Sequence, residues 1–121
     1  MKKNNNSLKI RFLGGVGEIG KNMTLFECAN DMFIVDCGLA FPDSDMPGVD
    51  IVLPDFTYVE KNAEKIKGIV ITHGHEDHIG GLSGALNYAK VETGYSSTTD
   101  SPSETFRIFA DQVELNGAEI K

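Results

Sequence analysis

The sequence predicts a small α/β domain, on three observations. Short runs rich in β-branched and aromatic residues recur at 8–13, 23–28, 32–36 and 68–71, as strands require. Segments with helical spacing follow them, over 55–65, from 79 onward and from 101 onward. Glycine, proline and aspartate punctuate the chain between, at 14–20 and 41–54, where turns and loops belong.

Each element has its own reason. Residues 1–7, basic and then polar, are expected to be a disordered tail ahead of a domain over 8–121. Leu8, Ile10 and Phe12 alternate with Lys9 and Arg11, which reads as a half-buried strand. The segment 23–28 is a second strand, Ala29-Asn30-Asp31 a turn, and 32–36 a third strand ending at Cys37-Gly38. A long loop leads to a helix over 55–65, then to a buried strand at Gly68-Ile69-Val70-Ile71. Ile79-Gly80-Gly81-Leu82 looks like the opening of a helix whose small residues allow close packing.

The glycine loop holds two decoys. Gly15-Val16-Gly17-Glu18-Ile19-Gly20 fits the dinucleotide fingerprint, and the run through Lys21-Asn22 nearly fits a P-loop. The first needs a helix after it, yet the next residues alternate as a strand. The second needs Ser or Thr after the lysine, and Asn22 stands there. A hairpin loop beside the functional site, with glycines letting the backbone approach a substrate, is the expectation instead.

In the tail, Ser101-Pro102-Ser103-Glu104 is a capping box with proline at the first helical position. Phe106, Phe109, Ala110 and Val113 then share one helical face, as core residues do. Asn116-Gly117 supplies the stop, and residues 118–121 alternate like the start of a strand.

The chemistry is concentrated at Thr72-His73-Gly74-His75-Glu76-Asp77-His78, which holds all 3 histidines of the chain. Imidazole nitrogen and carboxylate oxygen are ligands for divalent transition metals, zinc above all. His73 and His75 alternate on extended chain, so both rings can reach one ion. Asp77 and His78 are adjacent, and a helix start can aim both at the site. The expected division is His73 and His75 on one metal, Asp77 and His78 on a second, with Asp77 also in catalysis. Glu76 is expected to point to solvent. A fortuitous surface cluster is the bland alternative, and the full pattern after an apolar strand disfavours it. Asp36 closes an apolar strand, where a carboxylate is costly unless bonded. It either supports a ligating histidine or its loop without touching the metal itself, or hydrogen-bonds the Cys37-Gly38 turn.

Composition sets the class. The chain is 40% hydrophobic and 24% charged, ordinary for one globular domain. Net charge is −7, which argues against a self-sufficient nucleic-acid binder. No apolar run is long enough to span a membrane and no secretory signal is visible, so the cytoplasm is expected. Cys28 and Cys37 then read as two buried, reduced thiols.

Four stretches carry a resemblance. Residues 13–23 (LGGVGEIGKNM), 35–43 (VDCGLAFPD), 48–55 (GVDIVLPD) and 72–82 (THGHEDHIGGL) together resemble the start of ribonuclease J, a β-CASP metallo-β-lactamase nuclease. The similarity covers residues 8–82, about two-thirds of the chain. It implies an αββα sandwich of which only the N-terminal half is present, two Zn2+ ions, and hydrolysis of RNA phosphodiester bonds. The activity implied is 5′→3′ exonuclease and endonuclease, in RNA maturation and decay. The implied ligands are His73, His75, Asp77 and His78, with Asp36 from the first motif. RNA is the implied partner, a homo-oligomer is compatible with the reading, and no membrane partner is expected. Residues 83–121 depart from that family and look more like the metallo-β-lactamase domain of competence DNA-uptake (ComEC-like) proteins.

No histidine follows His78, and neither Asp100 nor Asp111 sits in a matching motif. The expectation is therefore a ribonuclease J-type fragment with a partial site and little activity alone. The alternatives are another metallo-β-lactamase-fold hydrolase or a non-enzymatic metal-binding remnant.

Overall fold

A computed structural model describes residues 7–88, 93–96 and 104–121. Among the described residues, six strands form one mixed sheet in sequential order. These are β1 (Leu8–Gly14), β2 (Met23–Cys28), β3 (Asp31–Val35), β4 (Ile66–Ile71), β5 (Thr93–Ser96) and β6 (Glu119–Ile120). The first three pair antiparallel through hairpins, and β3 to β6 run parallel. Parallel neighbours need crossovers. The helices supply them: α1 (Thr57–Lys61), α2 (Glu76–Ile79), α3 (Leu82–Tyr88) and α4 (Glu104–Leu115).

The helices bury one face of the sheet. Leu25, Ile34, Ile69 and Ile71 from the strands meet Val59, Leu82, Ala85, Phe106, Phe109 and Val113 from the helices. The helical face read from Phe106, Phe109 and Val113 is thus the core-facing one. Gly117 donates to the Glu114 carbonyl and Ala118 to that of Val113, the paired bonds that close a helix at a C′ glycine. The order of one helical layer on one mixed sheet is the α/β arrangement expected.

Several expectations need correction. The first strand is not half-buried: Leu8, Ile10 and Phe12 are 57%, 49% and 65% exposed. Its apolar side lies on the sheet face away from the helices, alongside Phe26 and Phe33, whose rings stack at 4.9 Å. The helix expected over 55–65 is α1 followed by a separate 3₁₀ turn, Ala63–Lys65. Asn62 breaks it, its side-chain amide donating to the Tyr58 carbonyl at 2.9 Å in competition with the helical ladder. The strand at 68–71 starts earlier, at Ile66. The Gly80-Gly81 pair does not open a helix but separates one-turn α2 from α3. Cys37 is buried as expected, but Cys28 is exposed, because it ends β2 on the side facing away from the core. Residues 1–6 of the expected tail and the capping-box residues 101–103 lie outside the described residues.

Candidate metal centre

The site forms where two parallel strands end side by side. β3 delivers Asp36 and β4 delivers Thr72 and His73, at the carboxyl edge where open α/β sheets carry their sites. Asp36 leaves the strand with φ 58, a left-handed backbone rare outside glycine and better tolerated by Asp than by most residues. Strain of this kind costs about 1–3 kcal/mol and persists where surrounding contacts enforce it. Here its amide donates to the Val70 carbonyl at 2.9 Å, and its carboxylate turns under the histidine motif.

That carboxylate answers the question the sequence left open. Oδ1 accepts from the Thr72 amide at 2.8 Å. Oδ2 accepts from the Thr72 hydroxyl at 2.7 Å and lies 2.7 Å from His78 Nδ1. The Cys37 and Gly38 amides donate elsewhere, to the carbonyls of His78 and Asn22. Asp36 therefore braces a motif histidine and the loop leading to it.

The contacts favour one tautomer at each ring. A carboxylate only accepts, so the contact with Asp36 places a hydrogen on His78 Nδ1, which in a neutral ring leaves the lone pair on Nε2. The Thr72 hydroxyl has one hydrogen and gives it to Asp36. Its contact with His73 Nδ1 at 3.1 Å then makes that nitrogen a donor as well. In their neutral form both rings would then turn the Nε2 lone pair outward, the form in which imidazole binds metal.

His73, Asp77 and His78 bring one ligand atom each within 4.8 Å of one another. Two imidazoles and a carboxylate at this spacing fit a divalent transition metal. His73 thus lies closest to Asp77 and His78, and the expected division, His73 and His75 on one ion and Asp77 and His78 on a second, stays a proposal. His75 packs its ring 4.7 Å from that of His73 but does not enter the three-residue group. The reason is α2. His75 is its N-cap residue, still extended, while the single turn after it folds Asp77 and His78 back over His73. Glu76 is exposed.

Backbone contacts hold α2 in place. Cys37 N donates to the His78 carbonyl at 2.6 Å, Leu39 N to that of Glu76 at 3.0 Å, and Asn22 N to that of Asp77 at 3.1 Å. Gly38 permits this approach, since a Cβ there would overlap the Asp77 carbonyl. The glycine loop runs into β2 rather than a helix and meets the site through Asn22, a residue the sequence singled out only as a mismatch to a P-loop. Beside the cluster opens a cavity of about 450 Å³, walled by Ile19, Phe41, His75, Glu76 and Asp77 among others.

The model of the metallo-beta-lactamase superfamily matches residues 16–115, so the chain belongs to that superfamily. Within it, the chain is 60% identical over 77 residues to ribonuclease J of Synechocystis sp., covering 64% of this chain and 12% of that protein. It is 47% identical over 90 residues to ribonuclease J2 of Bacillus subtilis, covering 74% of this chain and 16% of that protein. The chain thus spans a small part of the length of the curated relatives it matches. Among solved structures, human tRNase Z, short form, superposes with TM-score 0.51 at 23% identity, covering 91% of this chain and 40% of that one; this likeness shows the fold. No helix among the described residues is long and apolar enough to cross a membrane.

Proposed function

We propose that this chain carries the metal-binding part of a zinc-dependent ribonuclease of the ribonuclease J type, acting on RNA in the cytoplasm. The observation that carries the reading is the 47–60% identity to ribonuclease J proteins over about two-thirds of the chain or more. The site's donor set supports it. His73 and His75 would hold one ion, and Asp77 and His78 a second.

Bound zinc supplies a water of lowered pKa and a Lewis acid for phosphoryl oxygens. The chain's own residues prepare for that. Asp36 holds the His78 ring through Nδ1 and the Thr72 hydroxyl through its proton, so neither ring must reorient. Asp77 is the proposed catalytic carboxylate, at the boundary between the ligand cluster and the cavity. The acidic wall of that cavity would repel an RNA phosphate unless cations neutralise it, so substrate binding should itself depend on metal.

A domain exchange tests the proposal. Residues 8–82 of this chain replace their counterparts in the Synechocystis ribonuclease J. The expected chimera degrades 5′-monophosphorylated RNA in a zinc-dependent way, and His75→Ala or His78→Ala abolishes it. A folded, metal-loaded chimera that leaves RNA intact contradicts the proposal.

A further inference from the structure

We propose that Asn22 is a positioning residue for the metal-facing atoms of Asp77 and His78, and that the glycine loop is shaped to seat it. The inference rests on the reading of His73, Asp77 and His78 as metal ligands.

The Asn22 side-chain nitrogen lies 3.0 Å from the Asp77 carbonyl oxygen, 3.4 Å from Asp77 Oδ2 and 3.4 Å from His78 Nε2. An amide nitrogen carries two hydrogens and accepts nothing. Oδ2 is an acceptor, as is Nε2 in the tautomer with its hydrogen on Nδ1, and the two lie 3.4 Å apart. The amide therefore offers partial positive charge to the same two atoms that a cation would engage. It holds a carboxylate and an imidazole lone pair close together, an arrangement that lone-pair repulsion would otherwise open.

The loop explains how the side chain is kept there. Asn22 Oδ1 lies against Gly15, where a Cβ would come within 2.5 Å of it. Gly15 also has φ +83, so a side chain at that position is strained as well as obstructed. Lys21 N donates to the Leu39 carbonyl at 3.0 Å, and Gly38 N donates to the Asn22 carbonyl at 2.9 Å. These backbone bonds alone would staple the loop with any residue at position 22. Stapling needs no side chain aimed at two ligand atoms, and that aim is what the role as a positioning residue explains.

Cobalt(II) titration of the chain, followed by visible absorption, tests the proposal. The wild type is expected to bind with the spectrum of a low-symmetry nitrogen/oxygen site. Asn22→Ala should weaken binding roughly tenfold or more, as loss of groups that orient ligands does, and should alter the band shape while thermal unfolding stays unchanged. Gly15→Ala should move both readouts the same way, and Lys21→Ala, which breaks only the ion pair with Glu18, should move neither. Unchanged affinity and spectrum in Asn22→Ala overturn the positioning role alone, whereas a wild type that takes up no cobalt removes the metal-site reading beneath it. If Asn22→Ala does not fold, zinc titration of the wild type by NMR decides. Asn22 side-chain amide signals that shift with those of His73 and His78 support the role. Signals that stay still while the histidines shift overturn it.

Discussion

At the scale of the residue, Thr72 and Asp36 bear on the tautomers of His73 and His78. A hydroxyl with one hydrogen, given to Asp36, favours a hydrogen on His73 Nδ1. Thr72→Val removes that constraint. The account predicts a mixture of His73 tautomers in the variant, against a single Nδ1-protonated form in the wild type, read from ring ¹⁵N shifts. Asp36→Asn should weaken zinc binding by about 10- to 100-fold, the usual range for loss of a hydrogen-bonded ligand support, as measured by chelator competition. The ligand types were legible because three histidines and an aspartate fall within one short run. Which of them lie closest together was not, since that depends on one turn of helix bending the chain back. Asp36 was legible as a costly strand-end carboxylate, though its partners Thr72 and His78 lie 36 and 42 residues away. Asn22 gave no signal of its own, because an asparagine after a glycine loop is ordinary turn chemistry.

At the scale of the element, α2 is a single turn whose position comes from outside itself. Too short to be stable alone, it is clamped by the backbone of Cys37, Leu39 and Asn22. Gly38→Ala is therefore predicted to destabilise the fold by about 2 kcal/mol or more, as overpacking against backbone does, and to lower zinc affinity with it; thermal unfolding and zinc competition check the two. A second element-level contact joins β1, β2 and α1. Tyr58 donates to Glu27 at 2.9 Å, with the Arg11 guanidinium 4.4 Å from the Tyr58 ring centroid. The Tyr58 hydroxyl holds the Glu27 carboxyl below its ordinary value against the opposing effect of burial, helped by the charges of Lys9, Lys65 and Arg11. A depressed carboxyl contributes stability above its unfolded value and loses it as pH falls through the folded one. Tyr58→Phe should raise the Glu27 pKa and shrink the loss of stability between pH 6 and pH values below about 4.5, the ordinary carboxyl value. Equal acid sensitivity in both proteins, measured by denaturant unfolding, contradicts this. Strands were legible because alternation and β-branching act locally. The interruptions at Asn62 and at Gly80-Gly81 were not, because side-chain competition and close packing decided them.

At the scale of the whole molecule, among the described residues the sheet has one face covered by helices and one open face. Ile10, Phe12, Phe33 and Tyr95 are 41–65% exposed on the open side. Exposed apolar surface of this kind invites association. The isolated chain should bind a hydrophobic dye, and Ile10→Thr with Phe12→Thr should reduce that binding severalfold without lowering zinc affinity. The alternation in 8–13 announced an apolar face correctly, but alternation says nothing about what lies over that face, and so the expected half-burial failed. The α/β class and the place of the site at the strand ends were legible because both follow from the order of elements.

Zinc stoichiometry in the intact chain, read by native mass spectrometry after equilibration and dialysis, tests the central claim most directly. The account predicts bound zinc in the wild type, lost in His73→Ala and in His78→Ala, and retained in Cys28→Ser. A wild type that emerges metal-free, or a His73→Ala/His78→Ala double variant that keeps its zinc, contradicts it.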